Sequence, residues 1–75
     1  MWNYSRLMKL VLSEKYIEFI PESLQECEKL EELNLRKNKI KEIPKWITNM
    51  NHLKRLDLTG NPIKNRKVPD YILID

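Results

Sequence analysis

A single fixed period runs through this chain and limits what it can fold into more than any other feature. Leu30, Leu33, Leu35, Asn38 and Ile40 return one period later as Leu53, Leu56, Leu58, Asn61 and Ile63. The same offset carries Leu7, Leu10, Leu12, Ile17, Ile20, Pro21, Leu24 and Cys27 onto Leu30, Leu33, Leu35, Ile40, Ile43, Pro44, Ile47 and Met50. Apolar columns held in register at such a spacing mean stacked copies of one supersecondary unit, since no single copy can bury its own apolar face. The register lapses after Ile63, where Arg66, Lys67 and Asp70 occupy the columns of Ile43, Pro44 and Ile47.

Within each unit the pattern changes period. Leu10-Val11-Leu12, Leu33-Asn34-Leu35 and Leu56-Asp57-Leu58 alternate with period two, so each is a short strand with one face inward. The first two units continue with apolar residues three or four apart, Ile20, Leu24, Cys27, Leu30 and Ile43, Ile47, Met50, Leu53, which predicts a short helix. Pro21 and Pro44 open these segments, where a missing amide hydrogen costs least. Strands one unit apart are then parallel neighbours at about 4.8 Å.

The segments LEELNLRKNKI at 30–40 and LKRLDLTGNPI at 53–63 resemble the LxxLxLxxNxI core of leucine-rich repeats, and IKEIPKWITNM at 40–50 is similar to the convex segment of the intracellular subtype. The resemblance spans roughly residues 7–63. It implies an α/β fold: a right-handed solenoid with about three parallel strands on the concave face and short helices on the convex face. It also implies that the Asn38 and Asn61 amides turn inward to satisfy backbone groups between coils. Lys15 stands in the asparagine column of the first repeat, so that turn is expected to be looser.

One domain accounts for the whole chain, 1–75, with repeats at about 7–29, 30–52 and 53–67 and a C-terminal cap over 68–75. In the cap, Pro69 and Asp70 suit a helix start, and Val68, Tyr71 and Ile72 share a helical face; a short extra strand is the alternative. In front of the first repeat stand only Met1 to Arg6, of which Trp2 or Tyr4 is placed to cover some core. The opening MWNYSRLMKLVLSEKY has no continuous apolar run or small-residue cleavage site, and no stretch is long and apolar enough for a membrane span. With a single unpaired cysteine, this makes the cytoplasm the expected compartment.

The residues that usually carry chemistry are few. Cys27 shares a column with Tyr4 and Met50 and reads as a core thiol, while His52 shares one with Lys29 and Arg6 and reads as a solvated surface residue. Gly60 is the sole glycine, so no glycine-rich phosphate cradle exists. Neither metal-ligand spacing nor carboxylates tied to a pocket-forming motif are found, and the expectation is a chain without catalytic, cofactor or metal residues.

Surface chemistry is richer. A solenoid binds through the outward residues of its strands, here the columns Lys9, Glu32, Arg55, then Val11, Asn34, Asp57, then Ser13, Arg36, Thr59. These nine are the candidate partner-binding residues. The first column alternates in sign and predicts a cross-strand charge ladder. Residues 1–35 sum to −3 and residues 36–75 to +6, most of the basic excess lying in Arg36 to Lys41 and Lys64 to Lys67. Only Lys41 and Lys64 of these stretches share a column, and no stacking aromatic lies within either, so nucleic acid is a disfavoured partner. Tyr16, Phe19 and Trp46 share columns with polar residues or proline and are expected at or near the outside. The function these features predict is a protein-interaction module with a protein partner. The alternatives are a self-assembling repeat fragment, hence a homo-oligomer, and a weak binder of anionic surfaces.

Overall fold

The computed structural model describes residues 6–75. Four parallel strands form one sheet in sequential order: β1 (Lys9–Val11), β2 (Glu32–Asn34), β3 (Arg55–Asp57) and β4 (Leu73–Ile74). The register follows the period. Leu10 pairs with Leu33 and Leu33 with Leu56, so the inward leucines stack directly. Amides just beyond the strands extend the ladder: Leu12 donates to the Asn34 carbonyl at 2.8 Å and Leu35 to the Asp57 carbonyl at 2.8 Å.

The convex segments are 3₁₀ helices, Glu22–Glu26 and Lys45–Asn49. Their hydrogen bonds step by three: Leu24 to Pro21, Cys27 to Leu24 and Leu30 to Cys27, repeated as Ile47 to Pro44, Met50 to Ile47 and Leu53 to Met50. The apolar residues step by three in the same places, so each turn delivers one side chain to the core. A short run behind a proline allows this tight form, which is seldom extended further.

The core runs between sheet and convex side. Leu30, Leu33, Leu35, Ile40, Ile47, Leu53, Leu56 and Leu58 are almost completely buried. Leu7, Leu10, Leu12 and Ile17 of the first coil are only partly buried and pack against that cluster from one end. Trp2 and Tyr4, proposed from sequence as cover for this end, lie outside the described residues. Of the aromatics expected outside, Tyr16 and Phe19 are 78% and 79% exposed. Trp46 is instead half-buried against the core.

The C-terminal segment takes the strand form and not the expected helix. Pro69 to Ile72 make a turn closed by the Ile72 amide donating to the Pro69 carbonyl at 3.0 Å, and β4 then pairs Leu73 with Arg55 and Ile74 with Leu56. The third coil thus steps from Leu56 only as far as Ile74, a shorter path than the second coil takes from Leu33 to Leu56. This shortening removes the convex segment, whose apolar columns Arg66, Lys67 and Asp70 had already abandoned. A strand also satisfies the open edge of β3, whereas a helix would leave its amides and carbonyls unpaired. Tyr71 pins the turn to the second coil by donating its hydroxyl hydrogen to the Thr48 carbonyl at 3.0 Å.

Where the chain leaves β1, β2 and β3 it passes through the left-handed region: φ is 56° at Glu14, 55° at Lys37 and 82° at Gly60, one column of the repeat. Only glycine takes this conformation without strain. Gly60→Ala is therefore expected to cost about 1 kcal/mol, read as a lowered midpoint in urea. An unchanged midpoint would mean that the third turn relaxes out of the left-handed region.

Candidate functional site

The sheet brings the outward residues of the strands onto one face. Lys9 pairs in register with Glu32 and Glu32 with Arg55, while Val11 aligns with Asn34 and Asn34 with Asp57. The third column follows just past the strands, where Glu14 donates to the Arg36 carbonyl at 3.0 Å and Lys37 to the Thr59 carbonyl at 2.8 Å. None of the nine predicted residues is buried. Six of them, Lys9, Glu32, Asn34, Arg36, Arg55 and Asp57, line a shallow depression of about 240 Å³ over β1 to β3, and Val11, Ser13 and Thr59 lie outside it.

Charge on this face is largely neutralised within it. Lys9 meets Glu32 at 3.6 Å and Arg36 meets Asp57 at 3.7 Å. The alternating ladder stops there, because Arg55 turns away from Glu32 to Asp75, 3.1 Å from its Nη2 and 3.2 Å from its Nε. Both nitrogens converge on one oxygen, Asp75 Oδ2, so the contact is a bifurcated one and not a fork on two oxygens. These pairs are exposed, apart from the largely covered Asp57 carboxylate, and exposed pairs add only tenths of a kcal/mol each. Their effect is to fix side-chain directions across coils.

Two of the nine carry a structural duty as well. Asn34 Oδ1 accepts from the Arg36 amide at 3.0 Å, and Asp57 Oδ1 accepts from the Thr59 amide at 3.1 Å. Each side chain thus closes an Asx turn that ends its strand. Lys9, Val11, Ser13 and Thr59 are freer of such duties.

Sequence reasoning missed Leu73 and Asp75, which extend the same face beyond β3. Leu73 is 62% exposed beside Arg55, and Val11 is 52% exposed at the opposite end, so an apolar side chain flanks the charged centre on each side. A signal was present. Leu73-Ile74-Asp75 repeats the outward-inward-outward order of Arg55-Leu56-Asp57, but at a step shorter than the period, where a search for columns does not look.

Between coils the asparagines turn inward as the motif implied. Asn38 Oδ1 accepts from the amides of Lys15 at 2.9 Å and Ile17 at 3.1 Å, and its Nδ2 donates to the Leu12 carbonyl at 2.9 Å and the Leu35 carbonyl at 3.0 Å. Asn61 accepts from the Ile40 amide at 3.0 Å and donates to the Leu35 carbonyl at 2.7 Å and the Leu58 carbonyl at 3.1 Å. The first turn, lacking its own asparagine, is held by Asn38 from the next coil. It also carries a second left-handed residue, Tyr16 at φ 58°.

Cys27 is buried, and burial followed by the neighbouring Glu26 charge pushes its thiol above the ordinary range, which leaves it protonated and unreactive at neutral pH. His52 is exposed. Among the described residues no cluster of three or more His, Cys, Asp or Glu could hold a metal ion, and no helix is long and apolar enough to cross a membrane.

A parallel sheet of single-strand repeats, inward leucines and inter-coil asparagines defines a solenoid of the leucine-rich class. The family model for the leucine rich repeat matches residues 5–63, and the chain belongs to that family. Comparisons with curated proteins and with solved structures give no match. Leucine-rich-repeat domains in general mediate protein–protein contacts and are typically non-enzymatic binding modules.

Proposed function

We propose that this chain is a protein-interaction module that engages a protein partner through the face of its parallel sheet, with no catalytic role of its own. The observation that supports this best is convergence. Residues from four strands in separate coils form one exposed surface whose ion pairs order the centre and whose ends present Val11 and Leu73. The paired charges would orient a partner and fix its register, and the exposed apolar side chains at the two ends would add contact area. Substituting Lys9→Glu, Val11→Asp and Thr59→Arg together changes the face without touching the Asx turns. Affinity capture compared between wild type and this variant is expected to show one stoichiometric foreign protein retained by the first and lost by the second, with equal thermal melts. Retention of the same protein by both would remove the sheet face as the contact.

A second reading, self-association, draws on the half-buried Leu7, Leu10, Leu12 and Ile17 of the first coil, an apolar end that a second copy would cover. A closed dimer is favoured over an open filament, with β1 near the contact. Sedimentation equilibrium over a wide concentration range is expected to show growth in mass towards the dimer. A constant monomer mass would leave this reading without support.

A further inference from the structure

The shortened third coil leaves a gap on the opposite side of the molecule. Without a convex segment of its own, it covers the second 3₁₀ helix only in part, through Val68, Pro69 and Tyr71. A groove of about 690 Å³ opens there over Ile43, Ile47, Val68 and Pro69. This groove shares Ile43, Pro44, Lys45, Asn65 and Lys67 with a second depression, which in turn shares Lys41, Glu42 and Lys64 with a third that ends at Phe19 and Pro62. The three adjoin through these shared residues and make one furrow that runs across all three coils. It has an apolar floor at one end and an exposed phenylalanine at the other.

The walls of the furrow are basic. Lys39, Lys41, Lys45, Lys64 and Lys67 line it, against Glu18 and Glu42. The ion pairs of the described residues engage Lys9, Arg36, Lys37, Lys54 and Arg55, and none of these five lysines is among them. Lys39 instead lies 5.5 Å from the centre of the Tyr16 ring, next to the furrow. Sequence alone put only Lys41 and Lys64 together; stacking of the coils adds the other three and brings Phe19 to the rim.

We propose that this furrow docks an extended acidic peptide, one that alternates carboxylates with apolar side chains. Carboxylates would meet the lysine ammonium groups, and apolar side chains would cover Ile43 and Val68 at one end and Phe19 at the other. The arrangement suits a peptide better than a nucleic acid or a membrane. Glu42 stands in the middle of the lysines, where an unbroken run of phosphates meets repulsion but a peptide places an uncharged residue. A recessed apolar floor is reached by single side chains and not by a flat bilayer. Lysines here offer point charges and no guanidinium fork of the kind that favours phosphate.

The proposal is independent of the sheet-face reading and is tested separately from it. A short fluorescein-labelled peptide alternating Glu with Leu serves as probe in an anisotropy titration at low salt. The expected result is saturable binding that weakens by about tenfold or more in a Lys41→Glu, Lys64→Glu variant. It is also expected to weaken by about tenfold when the leucines of the probe become serines, and to be unchanged in the Lys9→Glu, Val11→Asp, Thr59→Arg variant. Equal thermal melts of all three proteins make the comparison valid, and both variants change only exposed positions. Absence of binding overturns the proposal. So does binding lost only in the sheet-face variant, or tighter binding of labelled single-stranded RNA or of phosphatidylserine vesicles than of the peptide.

Discussion

Leu33→Ala and Leu56→Ala are each expected to lose about 2–5 kcal/mol, enough to leave a domain of this size largely unfolded at room temperature. Both side chains are essentially without solvent exposure and stand in successive coils, each between stacked leucine or isoleucine neighbours on either side. Truncation removes transfer free energy and leaves a cavity that parallel strands cannot collapse, since the sheet hydrogen bonds hold their spacing. Leu10→Ala, in the same column of the first coil, is expected to cost about half as much, because a partly exposed side chain forfeits less burial. The gradient is the sharper test. Urea unfolding that gives all three variants the same loss would mean that the first coil is as well packed as the second, and wild-type midpoints for Leu33→Ala and Leu56→Ala would refute the register.

How much of this was legible beforehand depends on whether a feature repeats. Leu33 over Leu10 and Cys27 in the core follow from columns one period apart, because a periodic contact is written in the sequence as many times as it occurs, whereas the inward turn of Asn38 was implied by the family resemblance. Features that occur once were harder to read. Ile74 pairs with Leu56 in a strand that the period cannot announce, and Pro69-Asp70 is as good a start for a turn as for a helix. Arg55 was placed in a ladder with Glu32 on column arithmetic; its actual partner, Asp75, belongs to that unannounced strand. The sheet-face residues were legible as positions, but the Asx-turn duty of Asn34 and Asp57 was not, because a carboxamide or carboxylate two residues before an amide has the same spacing whether it bonds or points to solvent. The lysine furrow joins regular columns of the repeat at its Phe19 end to the shortened third coil at its Val68 end. That is a property of the stack and of no single segment.

The inter-coil asparagines give the second large effect, and counting bonds alone misjudges it. Loss of the Asn61 side chain breaks three hydrogen bonds, but the Leu35 carbonyl keeps the Asn38 amide and the Leu58 carbonyl keeps the backbone amide of residue 61. Only the Ile40 amide is orphaned, in a fully buried place. Loss of the Asn38 side chain leaves the Leu35 carbonyl with Asn61 and the Arg36 carbonyl with the Glu14 amide. The amides of Lys15 and Ile17 and the carbonyl of Leu12 then have no other hydrogen bond among the described residues. An orphaned backbone group costs about 1–3 kcal/mol, towards the upper end when no water can reach it and the lower end when it is partly exposed. Asn61→Ala is therefore expected to cost about 2 kcal/mol and Asn38→Ala about 3 kcal/mol, the larger value arising because Asn38 leaves three backbone groups of the first turn without a partner and Asn61 leaves one. Hydrogen exchange locates the effect: faster exchange at Ile40 alone in the first variant, and at Lys15 and Ile17 in the second. If Asn61→Ala proves the more destabilising, or if exchange in the Asn38→Ala variant stays slow at residue 17, the first turn is held by something other than the asparagine of its neighbour.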